Sequence, residues 1–541
     1  VLDETKNSFT RKSDFKDYIS DFDVVATGEA LTGYQVPFGA FTMTDQAYAP
    51  WNNLENALIH SSTYGGNSLA LSAVSRHLLQ ETDYFKTQPA ALEYCRSLEE
   101  DDHKRKDAFA RYVNPTLVWL YGINGYDLNP LHAQGSVLTV ENNGTTRELI
   151  DCMAGGGAVA RGHAPSDLSG EVLDQHDGSI DYWEKLESLL VEKTGLSHAF
   201  PAISGATAVD QAMSMSMLAN HEKTQLLILR GNYAGKTLLS LNGSVIHELD
   251  LQKPFKPLYH DVVYLDPFEK GIEAQLKQYL SSKKIALVWM ELIHGTSNRA
   301  VPEHIIDLIA EYKKEGGYLI GVDEVLTGFY RTGVLFAFQR TRLAVDVLSL
   351  SKAMSDGTFP IGATMASHDV YHKALRQNEQ YVRWIEMFYK NQLGSHISVH
   401  GIEKLLKANP SGHVREVSGI LKSGFKSIAL ESPLMSSIDG DGFMLHIQYA
   451  YDHWLLKILG KAAKMLFPVY ASGLVLKEQD IFLAVDRCLP AITLSKDHAT
   501  TIVSRMRALF TQDSTRIVLG FYGFIFKLAK TAIYNTLIKR G

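Results

Sequence analysis

The chain has 541 residues, a net charge of −7, and 45% hydrophobic and 21% charged residues. That length is too great for one ordinary domain and allows a large buried core in two to four units. The acidic balance argues against nucleic acid as the main partner, since phosphate binding needs a concentrated basic footprint. The polar opening VLDETKNSFTRKSDF holds no apolar leader, and no run of about 18 apolar residues occurs. A soluble, cytoplasmic protein is expected. Three cysteines (Cys95, Cys152, Cys488) stand apart with no Cys-x-x-Cys or His spacing. They fit a reducing compartment and indicate neither a disulfide framework nor a zinc site.

In chain order, the first feature is a repeat. DVVATGEALTGYQVPFGA (23–40) aligns without a gap with DVLSLSKAMSDGTFPIGA (346–363), pairing Asp23 with Asp346, Pro37 with Pro360 and Gly39 with Gly362. At one pair the charge reverses, Glu29 standing against Lys352. The valine start and the early first copy predict a fragment of a longer chain. The charged SLEEDDHKRKDAFARY (97–112) is expected to be a solvated helix or linker. From about residue 105, short apolar runs alternate with helical patterns: LLILRG (226–231), IALVWME (285–291) and GYLIGVDE (317–324) are predicted strands. PEHIIDLIAEYKKEGG (302–317) is a predicted helix with Ile305, Ile306, Leu308, Ile309 and Tyr312 on one face. Such alternation implies βαβ units and a mainly parallel sheet, whose ligands sit at the carboxyl ends of the strands. Beyond about 410, GDGFMLHIQYA followed by a helical pattern predicts a smaller α+β lobe, and the tail from Thr515 is apolar with five basic residues. Packing on the body or a partner subunit is expected of it rather than membrane contact.

Four stretches fall at strand ends. Ser204, Gly205, Ala206 and Thr207 open a helix, where free N–H groups and the helix dipole suit a phosphate. Tyr233 follows a strand and could cover a planar ligand, or simply pack. Asp323 and Glu324 end an apolar strand, where a carboxylate needs a partner such as a cationic ring nitrogen or Arg331. Lys352 follows the apolar run 345–350, and desolvation there disfavours its ammonium, as in Schiff-base lysines.

Together with VDEVLTGFYRTGVLFAF, the position of Lys352 after Asp323, and FPIGA beyond it, these stretches resemble the class III (ω) aminotransferases of fold type I, which use pyridoxal 5′-phosphate. The resemblance runs from about 105 to about 510. It implies an α/β fold with a mainly parallel large-domain sheet and a smaller α+β C-terminal domain, preceded by a degenerate partial repeat of the large domain. The implied segments are 1–96 (degenerate copy), 97–112 (linker), 113–200 (leading segment of the catalytic unit), 201–405 (cofactor-binding large domain), 406–514 (small domain) and 515–541 (extension).

Carried over residue by residue, the resemblance makes Lys352 the imine-forming lysine and proton shuttle. Asp323 becomes the partner of the ring nitrogen. Tyr233 and Val325 cover the two ring faces, and Gly205, Ala206 and Thr207 hold the phosphate. Departures are Ala206 where Ser or Thr is usual, Ala234 in YAG for YHG, Leu326 where a glutamine is usual, and ELIHG for EPxxG, with His294 available to replace a glutamine contact. Glu29 cannot form an imine, so the first copy is expected to be inactive. Its HSSTYGGN (60–67) matches the family segment whose threonine binds the phosphate of a neighbouring subunit, which implies that Thr63 completes the Lys352 site in a homodimer or intertwined dimer. The implied reaction moves an amino group from a small-molecule donor to a carbonyl acceptor. Aminomutase, racemase or decarboxylase chemistry on the same fold, or a non-catalytic scaffold, are the alternatives. The tandem arrangement also resembles aminotransferases of prodiginine pigment biosynthesis, which implies an apolar acyl aldehyde as acceptor.

Overall fold

The computed structural model describes residues 1–541 except 7–19, 54–61, 143–144, 169, 247–249, 260 and 539–541; of residues 142 and 531–538 it describes the backbone alone. The polar opening stretch beyond Lys6, residues His60 and Ser61 of HSSTYGGN, and the last two basic residues of the tail lie outside the described residues. The chain folds as two compact units, Val1–Asn129 with Thr358–Pro360, and Pro130–Gly357 with Ile361–Gly541.

The N-terminal unit carries a small sheet of strands β1 (Leu2–Glu4), β2 (Val24–Thr27) and β3 (Ala40–Met43), in that order, with β1 parallel and β3 antiparallel to β2. Helix Ser68–Gln80 follows; Asn67 caps it by accepting from Ala70 N–H at 3.1 Å, and the same side chain donates to Thr358 O at 2.9 Å. The charged stretch 97–112 is helical: it spans the end of helix Pro89–Glu100 and helix Asp102–Tyr112, whose Asp101 cap accepts from His103 N–H and Lys104 N–H.

In the second unit the strands in chain order are β4 (Asn129–Gln134), β5 (Val137–Asn142), β6 (Thr145–Cys152), β7 (His198–Ala202), β8 (Gln225–Leu229), β9 (Val262–Leu265), β10 (Ile285–Glu291), β11 (Leu319–Asp323), β12 (Val347–Leu350), β13 (Gly362–Ala366), β14 (Met435–Asp441), β15 (Met444–Tyr449), β16 (Ile481–Leu483) and β17 (Arg487–Cys488). The large sheet has the order β7-β13-β12-β11-β10-β8-β9, with β8 to β12 mutually parallel and β13 antiparallel to both neighbours. Helices cover both faces, so its central strands are continuous apolar runs, and every residue of β10 is buried. Helix Glu303–Gly316 buries Ile305, Ile306 and Ile309 and ends at Gly317, whose φ of 61° supplies the left-handed turn that stops it. A smaller sheet, β14-β15-β17, packs with helices Ser411–Glu431 and Lys496–Phe510 into the α+β lobe. Strand β16 pairs in parallel with β6, so the leading segment and the C-terminal lobe share a sheet. The tail helix Ser514–Ile538 buries Ile517, Val518 and Phe521, with Phe521 edge-on to Phe467 at 5.3 Å. No helix among the described residues is long and apolar enough to cross a membrane.

The repeated stretches adopt the same local structure. β2 pairs with β3 as Val24↔Met43 through Thr27↔Ala40, and β12 pairs with β13 as Val347↔Ala366 through Leu350↔Ala363. Both β2 and β12 run into a 3₁₀ turn, Glu29–Thr32 and Lys352–Ser355, closed by a left-handed residue, Gly33 and Asp356.

One close approach fixes the sheet's centre. A Cβ on Gly321 in β11 would lie 2.4 Å from Cε3 of the fully buried Trp289 in β10. Gly321→Ala is therefore expected to cost about 1–3 kcal/mol through overpacking. A lowered urea midpoint checks this, and an unchanged midpoint would contradict it.

Candidate active site

Parallel strands that end at one edge of a sheet bring residues distant in sequence together. Glu291 closes β10, Asp323 closes β11 directly opposite it in register, and Lys352 begins the turn after β12. Lys352 adopts a φ of +47°, a conformation few side chains other than glycine take. Burial lowers its pKa to about 8, against the opposing pull of Glu291 and Asp323. Burial raises both carboxylates above their ordinary range, and the neighbouring Asp323 adds to the rise at Glu291. Asp323 Oδ1 accepts from Val325 N–H at 2.9 Å; Glu291 accepts from Tyr233 N–H at 2.7 Å and Gly295 N–H at 3.0 Å.

Glu291 is the residue that sequence reasoning passed over. It is the glutamate of ELIHG, visible in the chain but without a role until β10 and β11 are seen as neighbours. Arg331, read from the sequence as a possible partner of Asp323, goes elsewhere. Its buried guanidinium donates to Pro490 O at 2.8 Å and Gly157 O at 3.1 Å. Glu324 is likewise structural, taking the Thr327 hydroxyl and Phe338 N–H.

Helix Gly205–Ala219 starts at the end of β7 with a reciprocal cap: Ser204 Oγ accepts from Thr207 N–H at 3.2 Å, and Thr207 Oγ1 accepts from Ser204 N–H at 3.0 Å. Thr207 Oγ1 also accepts from Ile203 N–H and donates to Ser204 O, so this hydroxyl serves the cap and does not replace the one missing at Ala206. The anion-binding capacity of the helix start then rests on its backbone N–H groups. Gly205 allows that start to meet the loop after Asp323, since a Cβ there would lie 2.9 Å from Val325 Cγ1. Gly235 does the same from the Tyr233 loop, its Cβ position being 2.6 Å from Ala206 Cβ. Gly205, Ala206, Val325 and the loop holding Tyr233 thus border one another. Tyr233 is half-buried, and its phenol is pushed up to about 12 by burial.

His294 is completely buried and meets Phe268 edge-on at 5.5 Å; its backbone closes the turn to Arg299. Thr63 is exposed in a turn of the N-terminal unit. That unit also holds a counterpart of Asp323 that sequence reasoning missed. Asp3 lies opposite Ala26, and its Oδ1 accepts from Thr5 N–H at 3.0 Å, the same carboxylate turn that Asp323 makes with Val325. The signal was present as LDE (2–4) with Phe9 and Arg11 spaced as Phe329 and Arg331 are after VDE (322–324). Asp3 is exposed where Asp323 is buried, and Glu29 is exposed too.

The second unit's residues suit a planar, phosphate-bearing cofactor with an aldehyde. The two carboxylates act on Lys352 electrostatically, yet among the described residues the lysine forms no ion pair. Buried charges held near one another but out of direct contact leave room for a ligand that carries charge itself. The glycines at 205 and 235 let the loop after Asp323 and the Tyr233 loop pack directly on the adjoining helix start.

The aminotransferase class-III family matches residues 125–510. Among curated proteins, the aminotransferase PigE of Serratia sp. is 27% identical over 387 residues, which is 68% of this chain and 44% of that protein, so the chain spans less than half of that relative's length. Among solved structures, an ornithine aminotransferase from Toxoplasma gondii superposes with a TM-score of 0.64 at 17% identity, covering 80% of this chain and 98% of that one. An ω-transaminase from Pseudomonas jessenii, in complex with PMP, gives 0.61 at 19% identity, covering 72% and 93%. At these identities the superpositions establish the fold, that of the fold type I transferases. With the family match covering most of its length, the chain belongs to the class III aminotransferases, a family of enzymes that depend on pyridoxal phosphate.

Proposed function

We propose that this chain transfers an amino group from a small-molecule donor to a carbonyl acceptor with pyridoxal phosphate bound at Lys352. The observation that carries this reading is the convergence of Lys352, Asp323 and Glu291 at the ends of adjacent parallel strands. When bound, the cofactor supplies an aldehyde for condensation with amines and a ring that accepts electrons. Lys352 supplies a neutral amine near physiological pH, because burial disfavours its ammonium. The same Nζ is a base of suitable strength to take a proton from the substrate carbon and return it. Asp323 is proposed to ionise against a protonated ring nitrogen, held in orientation by Val325 N–H. Glu291 holds the Tyr233 loop through that residue's N–H, and we assign Tyr233 and Val325 to the two ring faces. The N–H groups of Gly205 and Ala206 are assigned to the phosphate, since Thr207 N–H already donates to Ser204 Oγ.

Leu326, where a glutamine is usual, belongs to an apolar cluster with Ile293, Met444, Ala484 and Leu489. A Cβ on Gly295, which donates to Glu291, would lie 3.1 Å from Leu326 Cδ2, so the cluster borders the carboxylate pair. This supports an apolar acyl aldehyde as acceptor. We further assign a homodimer in which Thr63 reaches the phosphate of a neighbouring copy; exposed Trp384, Met387 and Phe388 on helix Glu379–Phe388 are apolar surface suited to such an interface.

Three outcomes are expected. With added pyridoxal phosphate the wild-type protein develops a visible absorbance band that an amino donor bleaches, and Lys352→Ala develops none; a band that no donor bleaches would contradict amino transfer. Because the nucleophile is the neutral amine, the initial rate at which the band forms should rise with pH through about 8 and level off above it; a rate that is flat or falls from pH 7 to 9 would contradict the assignment. Asp323→Asn should retain the cofactor while lowering kcat by about 10²–10⁴-fold, measured by stopped-flow bleaching.

A further inference from the structure

Three histidines meet at the end of β7 remote from Ser204. His198 opens that strand, and the β7–β13 ladder sets it opposite Ala366, two residues before His368. His368 and His372 lie one turn apart on helix His368–Gln377, and so on one face of it. Each of the three offers a ligand nitrogen, and these atoms all lie within 4.8 Å of one another. The rings of His368 and His372 are 4.1 Å apart, and His198 stacks on Tyr371 at 3.9 Å and 17°. Tyr371 is pinned in turn by Glu386, to which its hydroxyl bonds at 2.8 Å. The His198 ring is therefore held in place, yet its Nε2 is buried with no hydrogen-bond partner among the described residues. A desolvated imidazole nitrogen without a partner is costly as it stands, and its ring lies beside two further imidazoles that offer ligand nitrogens.

We propose that His198, His368 and His372 form a binding site for a divalent transition-metal ion of the class that prefers imidazole, Zn²⁺ foremost, with solvent in the fourth position at the exposed His368. Two histidines at i and i+4 of a helix with a third from another element is a spacing that tetrahedral zinc accepts. Metal–nitrogen bonds of about 2.0–2.1 Å put the nitrogens of a tetrahedral site about 3.3 Å apart, so His368 and His372 would turn toward the held His198 ring. The nearby carboxylate of Glu386 adds favourable charge, and the neighbouring cations are engaged, Arg383 with Glu386 and Lys373 with Asp369. The other comparable cluster, Asp167, Glu171 and His400, differs in this respect, since Arg161 and Lys404 already neutralise its carboxylates. β7 spans four residue steps between His198 and Ala202, about 13 Å. The ion would thus tie the helix to the sheet edge, away from Lys352.

The test is equilibrium binding of Zn²⁺ to metal-stripped, tag-free protein loaded with pyridoxal phosphate, beside a His368→Ala/His372→Ala variant whose cofactor band reports an intact fold. One Zn²⁺ per chain at micromolar metal, weakened at least about 10-fold in the variant, is the expected result. Substituted Co²⁺ should give the intense visible spectrum of a tetrahedral site. The melting temperature should rise with Zn²⁺ in the wild type and not in the variant. Equal binding by the two proteins, or no binding by the wild type at micromolar Zn²⁺, overturns the proposal. Should the double variant lose its cofactor band, His368→Ala alone, altering an exposed side chain, decides on the same criteria.

Discussion

The desolvation of Lys352 is the constraint on which the rest of the second unit depends. An amine in water keeps its proton at neutral pH; to lose it, the side chain must be enclosed, and enclosure demands a sheet covered on both faces with its strand ends sealed by loops. The two carboxylates oppose this by favouring the charged amine, yet burial weakens them as well, since each is shifted toward its neutral form. The three groups therefore share too little solvent to be fully charged at once. A ligand bearing a positive ring nitrogen and a negative phosphate would change that balance.

Much of this was legible in the chain because it is local. Apolar runs without alternation marked β8, β10 and β11 as buried parallel strands, and the stop at Gly317 marked the end of a helix. Lys352 and Asp323 could be found because each directly follows such a run. What was not legible depends on which strand lies beside which. Glu291 gains its meaning only because β10 adjoins β11, although about thirty residues and a helix separate them. Arg331 was misread for the same reason, its carbonyl partners lying on loops at 157 and 490 that nothing near it in sequence points to. Thr207 shows a different limit: a hydroxyl at the start of a helix serves a cap or a ligand equally well in one dimension, and only the reciprocal bonds with Ser204 decide. The pair His368 and His372 was readable as a spacing, but its third member comes from a strand some 170 residues earlier.

The N-terminal unit separates frame from chemistry. Its strands keep the pairing register of β12 and β13, and Asp3 keeps the carboxylate turn of Asp323, while the lysine is replaced and both acidic residues face solvent. Register depends on alternation and turn geometry, which tolerate a change of charge at a turn. Burial depends on what packs above the strand ends.

Gly362 lies where two of these demands meet. A Cβ at this first residue of β13 would fall 2.8 Å from Ser204 O and 3.0 Å from Leu350 O, the residues that precede the helix start and the lysine turn. The helix start and the lysine turn are thereby held on a common backbone crossing, with no side chain between them to absorb a shift. A displacement at the helix start is therefore passed by backbone contact, through Gly362, to the turn that carries the lysine.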